Sequence, residues 1–243
     1  MEQNLLTIKN LCAWYNREKT VLSDFSAELR RREVTGLIGL NGAGKTTLIK
    51  ILSGLHEGFS SDGIWLHGQP AKLRDNAFKA CRYTVFSEDN SFQYFTFREY
   101  LFYVFAAYKA AYREGEKGIT ENVTGLVRGF HFEDFTDILL KDLSTGNKKK
   151  VFLITAFALR PELLLLDEPV NGLDFQSTEF LYRLIAGYKE YGTILFSSHI
   201  LESITLTADR VMILENGHIR QIFEGSEINA GEIRGALHYE NDI

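Results

Sequence analysis

Apolar and polar positions change rhythm twice along this chain. Over the first third, short apolar runs alternate with turn formers, so that residues 5–8, 21–29, 34–38, 63–67 and 83–86 have strand character and Gly-Gln-Pro70 reads as a turn. One helical stretch interrupts them, where Leu48, Ile49, Leu52 and Leu55 recur at helical spacing. Between residues 88 and 160 the pattern turns helical. Residues 98–112 mix helix formers with aromatics, and residues 148–159 continue as an apolar helix that Pro161 terminates. The last third returns to alternation. Residues 163–166 are a continuous apolar run, as expected of a parallel strand covered on both faces. Residues 178–191 read as a helix and 193–197 and 211–214 as strands, with Asn216-Gly217 as a hairpin turn before 218–223. The pattern predicts an α/β fold: a core lobe of about residues 1–87 and 161–243, opening with a β-rich part, and a helical lobe of about 88–160 inserted into it.

Composition narrows the classes. With 243 residues, 45% hydrophobic and 24% charged, the chain is long enough for one large domain or two intimate lobes. A net charge of −5 leaves no basic stripe to displace phosphate counterions, so no nucleic-acid partner is expected. Two cysteines, Cys12 and Cys81, suggest no disulfide framework and a reduced, cytoplasmic setting. The start, residues 1–4, has no basic segment ahead of an apolar stretch, so no signal peptide is expected. The apolar patches at 101–107 and 151–159 fall far short of the roughly 20 residues a membrane span needs, so a membrane would be served only from its side.

Chemistry concentrates at residues 39–47. Gly39, Asn41, Gly42, Ala43, Gly44, Lys45, Thr46 and Thr47 lie between the 34–38 strand and the helix that follows. Closely spaced glycines let backbone N–H groups curl around an anion, and the helix N-terminus adds partial positive charge. Lys45 suits the β- and γ-phosphates of a nucleotide, and the Thr46 hydroxyl suits Mg²⁺. The predicted core is therefore of the P-loop NTPase type. A second site ends the 163–166 strand, where Asp167 can hold Mg²⁺ and Glu168 can polarise an attacking water. About twenty residues earlier, Leu143-Ser-Thr-Gly-Asn147 opens a helix, and Ser144 and Gly146 at such a start make an anion seat. The three lysines 148–150 read as a solvated helix face.

In this order the motifs resemble the ATP-binding cassette (ABC) family of transport ATPases, over nearly the whole chain. The resemblance implies a P-loop NTPase core with an N-terminal antiparallel β subdomain and an inserted helical subdomain. It implies ATP and Mg²⁺ as ligands, a second cassette and a separate transmembrane permease as partners, and a location at the inner face of the cell membrane. Ser144 and Gly146 would meet the γ-phosphate of ATP held by the partner cassette, and Asp174 in Asn171-Gly-Leu-Asp174 would lie in the crossing loop. His199 matches the histidine that contacts the γ-phosphate and the attacking water, and Tyr15 matches the aromatic that stacks on adenine, with Trp14 beside it as a rival ring. One departure stands out. The family's glutamine ahead of the helical lobe falls here on Ser87, which is too short to span the same gap to metal and water unaided, with Glu88 or Gln93 as substitutes if the register slips. The nine rings between Phe92 and Tyr108 exceed what one helix needs for its core; about half are expected to pack inside and the rest to face the permease. The single-cassette layout and the 144–150 stretch point to an exporter. Two alternatives stay open: a soluble cassette acting on ribosomes or DNA, and an ATP-sensing module that does not hydrolyse.

Overall fold

The computed structural model describes residues 4–16, 19–108 and 116–237, so the first three residues and the 109–112 end of the helix expected over 98–112 lie outside it. The chain opens with two long antiparallel strands, β1 (Asn4–Asn16) and β2 (Lys19–Arg30), then enters the central sheet as β3 (Val34–Ile38) and leaves it through residues 39–44 into α1 (Lys45–Leu52). Short strands β4 (Phe59–Ser60), β5 (Gly63–Leu66) and β6 (Gln69–Pro70) complete the first sheet, ordered β2-β1-β5-β6 with β4 beside β1. The turn expected at Gly-Gln-Pro70 sits one residue earlier, because Gln69 and Pro70 pair with Leu66 and Trp65. Helix α2 (Asn76–Cys81) leads to β7 (Arg82–Val85), and α3 (Phe97–Ala107), α4 (Glu116–Gly129) and α5 (Thr145–Leu159) then precede β8 (Leu163–Asp167). The remainder alternates: α6 (Phe175–Gly187), β9 (Thr193–Ser198), α7 (Leu201–Thr207), β10 (Arg210–Glu215), β11 (His218–Glu224) and α8 (Ala230–Ala236).

The second sheet runs β11-β10-β3-β9-β8-β7, parallel from β10 to β7 and closed by the antiparallel β10–β11 hairpin. Strand β8 explains its own composition. Leu163 and Leu165 enter a core shared with the β1–β2 sheet and α1, whereas Leu164 and Leu166 enter a core shared with helices α3 to α8. Side chains alternate across a strand, so a strand covered on both faces must be apolar at every position. Each such leucine contributes about 2 kcal/mol by burial. Register also aligns the strand ends: Ile38 lies opposite Ser198, Asp167 opposite Ser197, and Val85 opposite Leu166. The segments that follow β3, β7, β8 and β9 thus leave the sheet at one edge.

Helix α5 is buried on every side from Val151 to Ala158. This overturns the solvated reading of the three lysines: Lys149 and Lys150 are buried and only Lys148 is half-exposed. A helix without a polar face has no solvated stripe on which to place consecutive lysines. The aromatic stretch divides into three equal parts rather than into halves. Phe97, Tyr100 and Phe105 are buried, Phe92, Phe95 and Tyr108 are half-buried, and Tyr94, Phe102 and Tyr103 are exposed. Thr96 and Glu99 form a reciprocal capping box that starts α3. Helix α6 starts three residues before the predicted position because the Asp174 carboxylate accepts the Ser177 N–H at 2.8 Å.

Candidate functional site

The loop between β3 and α1 is built by its glycines. Gly44, at φ +110°, ends the loop as the first residue before α1, and a Cβ there would sit 2.6 Å from the Leu22 side chain. No side chain caps α1, so its first amides remain open. Lys45 folds back over the loop. Its ammonium donates to the carbonyls of Gly39 (2.6 Å) and Leu40 (3.3 Å) and lies 3.8 Å from Glu168 Oε1. Burial lowers the Lys45 pKa, and the carboxylates of Glu168 and Asp167 pull it back up.

Asp167 ends β8 fully buried, and among the described residues its carboxylate accepts hydrogen bonds only from hydroxyls. Thr46 donates to both its oxygens (3.0 and 3.1 Å), Ser197 to Oδ1 (2.7 Å) and Ser87 to Oδ2 (3.2 Å). Ser87 therefore reaches the site despite its short side chain. These are hard oxygen donors, the kind Mg²⁺ takes, and the residues fit that ion. Among the described residues no group of three or more His, Cys, Asp or Glu gathers for a metal. A dication here would be completed by phosphate and water oxygens.

Glu168 is a non-glycine residue in the left-handed region, at φ +47°, where a side chain costs of order 1 kcal/mol or more. Its N–H donates to Ser197 Oγ at 2.9 Å, so Ser197 braces both acidic residues. Its carboxylate is buried between Lys45 and β9: Oε2 lies 2.8 Å from His199 Nδ1 and accepts the His199 N–H at 3.3 Å. His199 itself is exposed, 48% of its side chain facing solvent.

Other predicted residues lie around this centre. Tyr15 is exposed on β1, its hydroxyl 3.3 Å from Thr47 Oγ1 and its ring edge-on to His56 at 4.8 Å, whereas Trp14 is half-buried. Exposed Asn41 and Gly42 form the outer rim of the loop, and buried Ala43 its floor. Ser144 and Gly146 are not brought into the loop of their own chain. Ser144 caps α5 through the Asn147 N–H (3.2 Å), and a Cβ on Gly146 would lie 2.3 Å from the Gly172 carbonyl. Asp174 pairs with Lys150 at 2.7 Å. Burial acts to raise the Asp174 pKa, but Lys150 and the α6 amide of Ser177 outweigh it and hold the carboxyl well below its usual range. Two residues at the site escaped sequence reasoning. Ser197 was visible only as a strand-end serine, and Lys149 was taken for a surface charge although it opens a helix apolar on all sides.

A glycine-built loop feeding α1, a buried acidic pair at the neighbouring strand end and helices inserted between β7 and β8 define a P-loop nucleotide-binding protein. The family model described as ABC transporter matches residues 22–171, and the chain belongs to that family, as an ATP-binding subunit of an ABC transporter. It is 36% identical over 225 residues to the ABC transporter ATP-binding protein designated AlbC of Bacillus subtilis, covering 90% of this chain and 91% of that protein. It is 31% identical to the SkfA peptide export ATP-binding protein SkfE of Bacillus subtilis (89% and 88% covered) and 28% identical to the phosphate import ATP-binding protein PstB of Mycoplasma genitalium (91% and 71% covered). A solved ATP-binding subunit of an ABC transporter superposes with a TM-score of 0.80 at 30% identity, covering 90% of each chain. Among the described residues no helix is long and apolar enough to cross a membrane.

Proposed function

We propose that this subunit hydrolyses ATP to drive a separate transmembrane permease at the inner face of the cell membrane, working as a pair of cassettes with ATP held between them. The observation that carries this reading is the placement of the Glu168 carboxylate, 3.8 Å from Lys45 and 2.8 Å from His199, one residue beyond the hydroxyl-held Asp167. Residues 39–47 bind the phosphates: the amides of Asn41, Gly42, Gly44, Lys45, Thr46 and Thr47 serve the anion, the Ala43 N–H donates to the Leu40 carbonyl at 3.1 Å and holds the loop's curl, and the Lys45 ammonium exchanges its carbonyl partners for phosphate oxygens. Tyr15 stacks on adenine. Thr46 and Asp167, with Ser87 beside them, hold Mg²⁺, which when bound neutralises charge on the β- and γ-oxygens. Glu168 takes a proton from water as its oxygen attacks the γ-phosphorus and the bond to the β-phosphate oxygen breaks. His199 positions that water and the γ-phosphate. Ser144 and Gly146 of a second copy close over the same phosphate, with Asp174 shaping the crossing loop. Contacts made to the γ-phosphate from both copies vanish on hydrolysis, a differential affinity able to drive a conformational cycle.

Export is the favoured direction, supported by the similarity to SkfE, whose name assigns it to peptide export, although PstB is named for import. Glu168→Gln tests the hydrolytic reading. Steady-state phosphate release should fall roughly 10²- to 10⁴-fold, with an ATP-bound pair accumulating in size-exclusion chromatography. Wild-type turnover in this variant would refute it.

A further inference from the structure

Lys149 lies one turn into α5 with 4% of its surface exposed. Its ammonium donates to the carbonyl of Phe86 at 3.1 Å and to the carbonyl of Glu168 at 3.4 Å. Phe86 is the residue before Ser87, where the chain leaves β7, and Glu168 is the residue held at φ +47° beyond β8. One cation thus ties together three segments that are distant in sequence: the start of α5, the loop after β7 and the end of β8. Its neighbours do something else. Lys148 is half-exposed, and Lys150 pairs with Asp174.

Burying an ammonium costs several kcal/mol, which two backbone carbonyls alone compensate poorly. The surroundings are strongly acidic. Asp167 and Glu168 face Lys149 from β8, and Glu88 and Asp89 face it from the loop after β7, while on its own helix the Lys150 charge is taken up by Asp174. Burial pulls the Lys149 pKa down to about 8 against the opposing pull of these four carboxylates. The loop that supplies the Phe86 carbonyl runs on through Gln93 and Phe95, whose carbonyls accept the N–H groups of Lys141 and Leu140, and past the exposed Tyr94 into α3.

We infer that Lys149 is a positioning residue for hydrolysis: it fixes the strained backbone of Glu168 and makes that geometry depend on where the loop beginning at Phe86 lies. A shift of this loop withdraws one of the two carbonyls, and the ammonium then re-aims toward the carboxylates of Asp167 and Glu168. The inference rests on the reading of Glu168 as the general base.

The test uses the full chain, with Lys149→Met, Lys149→Arg and Glu168→Gln assayed together for kcat and KM with MgATP. Lys149→Met should lower kcat about 10- to 100-fold, the range expected when a reacting group is misplaced by an ångström. KM should stay within about threefold, and Lys149→Arg should recover part of the rate. Wild-type kcat in Lys149→Met, equal losses in kcat and ATP affinity, or an arginine variant no better than methionine would each overturn the inference. Should Lys149→Met show no cooperative thermal transition, Lys149→Gln is judged by the same criteria. Wild-type turnover in Glu168→Gln would remove the reading of the base itself. An inactive Glu168→Gln beside a fully active Lys149→Met would remove only the role of Lys149.

Discussion

Helices α1 and α5 both begin at places proposed to meet the same phosphates, and they begin in opposite ways. The start of α1 is complete within one chain: Gly44 takes a conformation that leaves the amides uncapped, and Lys45 is already seated over the loop at 6% exposure. The start of α5 is capped by its own Ser144, and Ser144 and Thr145 stand exposed to solvent. A preformed anion cradle loses little entropy on binding and holds its ligand alone. A capped, exposed helix end, by contrast, is suited to the role proposed for it against a second copy. On the proposed function, this asymmetry would separate ATP binding by one chain from hydrolysis by a pair.

Substitutions can break or sharpen this contrast. The largest effect on binding is expected from Lys45→Ala: loss of a charged hydrogen bond to phosphate should weaken ATP affinity about 100-fold, measured by titration calorimetry. Affinity at the wild-type level would mean that the cradle is not the principal seat. Gly146→Ala comes next. The added Cβ must displace the Gly172 carbonyl, 2.3 Å away, and so distort the contact between α5 and the loop that carries Gly172. Phosphate release should fall about tenfold, consistent with sub-ångström misplacement, while single-chain ATP affinity stays within about twofold. Equal losses in both would erase the distinction between the two helix ends. The smallest effect is the cap itself. Ser144→Ala should cost about 1 kcal/mol, seen as a melting temperature lower by about 2–4 °C in a chain of this size. An unchanged melting temperature would mean that the Ser144 hydroxyl contributes no cap.

Legibility in the sequence followed the range of the forces involved. Strand β8 was readable because all-leucine composition follows directly from two covered faces. The acidic pair was readable because it abuts that strand. The start of α6 was missed because an aspartate cap, not periodicity, sets it. Lys149 was misread because its burial depends on α5 being enclosed, and the triplet looked locally like any charged surface. Ser197 gave no local sign, since its value lies in bracing Asp167 and the Glu168 amide from the neighbouring strand.

What the amino-acid order determined by itself is the conformation and chemistry of contiguous pieces. Residues 39–47 specify their own curl through glycine freedom and a following helix, and the strands announce themselves by which positions are apolar. Tertiary structure alone decided that Thr46, Ser87, Asp167, Ser197 and His199 share one sheet edge, because parallel register aligns the ends of β3, β7, β8 and β9. It also decided that Lys149 is a buried tie and not a surface charge. Sterics and local hydrogen bonds act over a few residues, whereas burial and proximity depend on segments far apart in the chain.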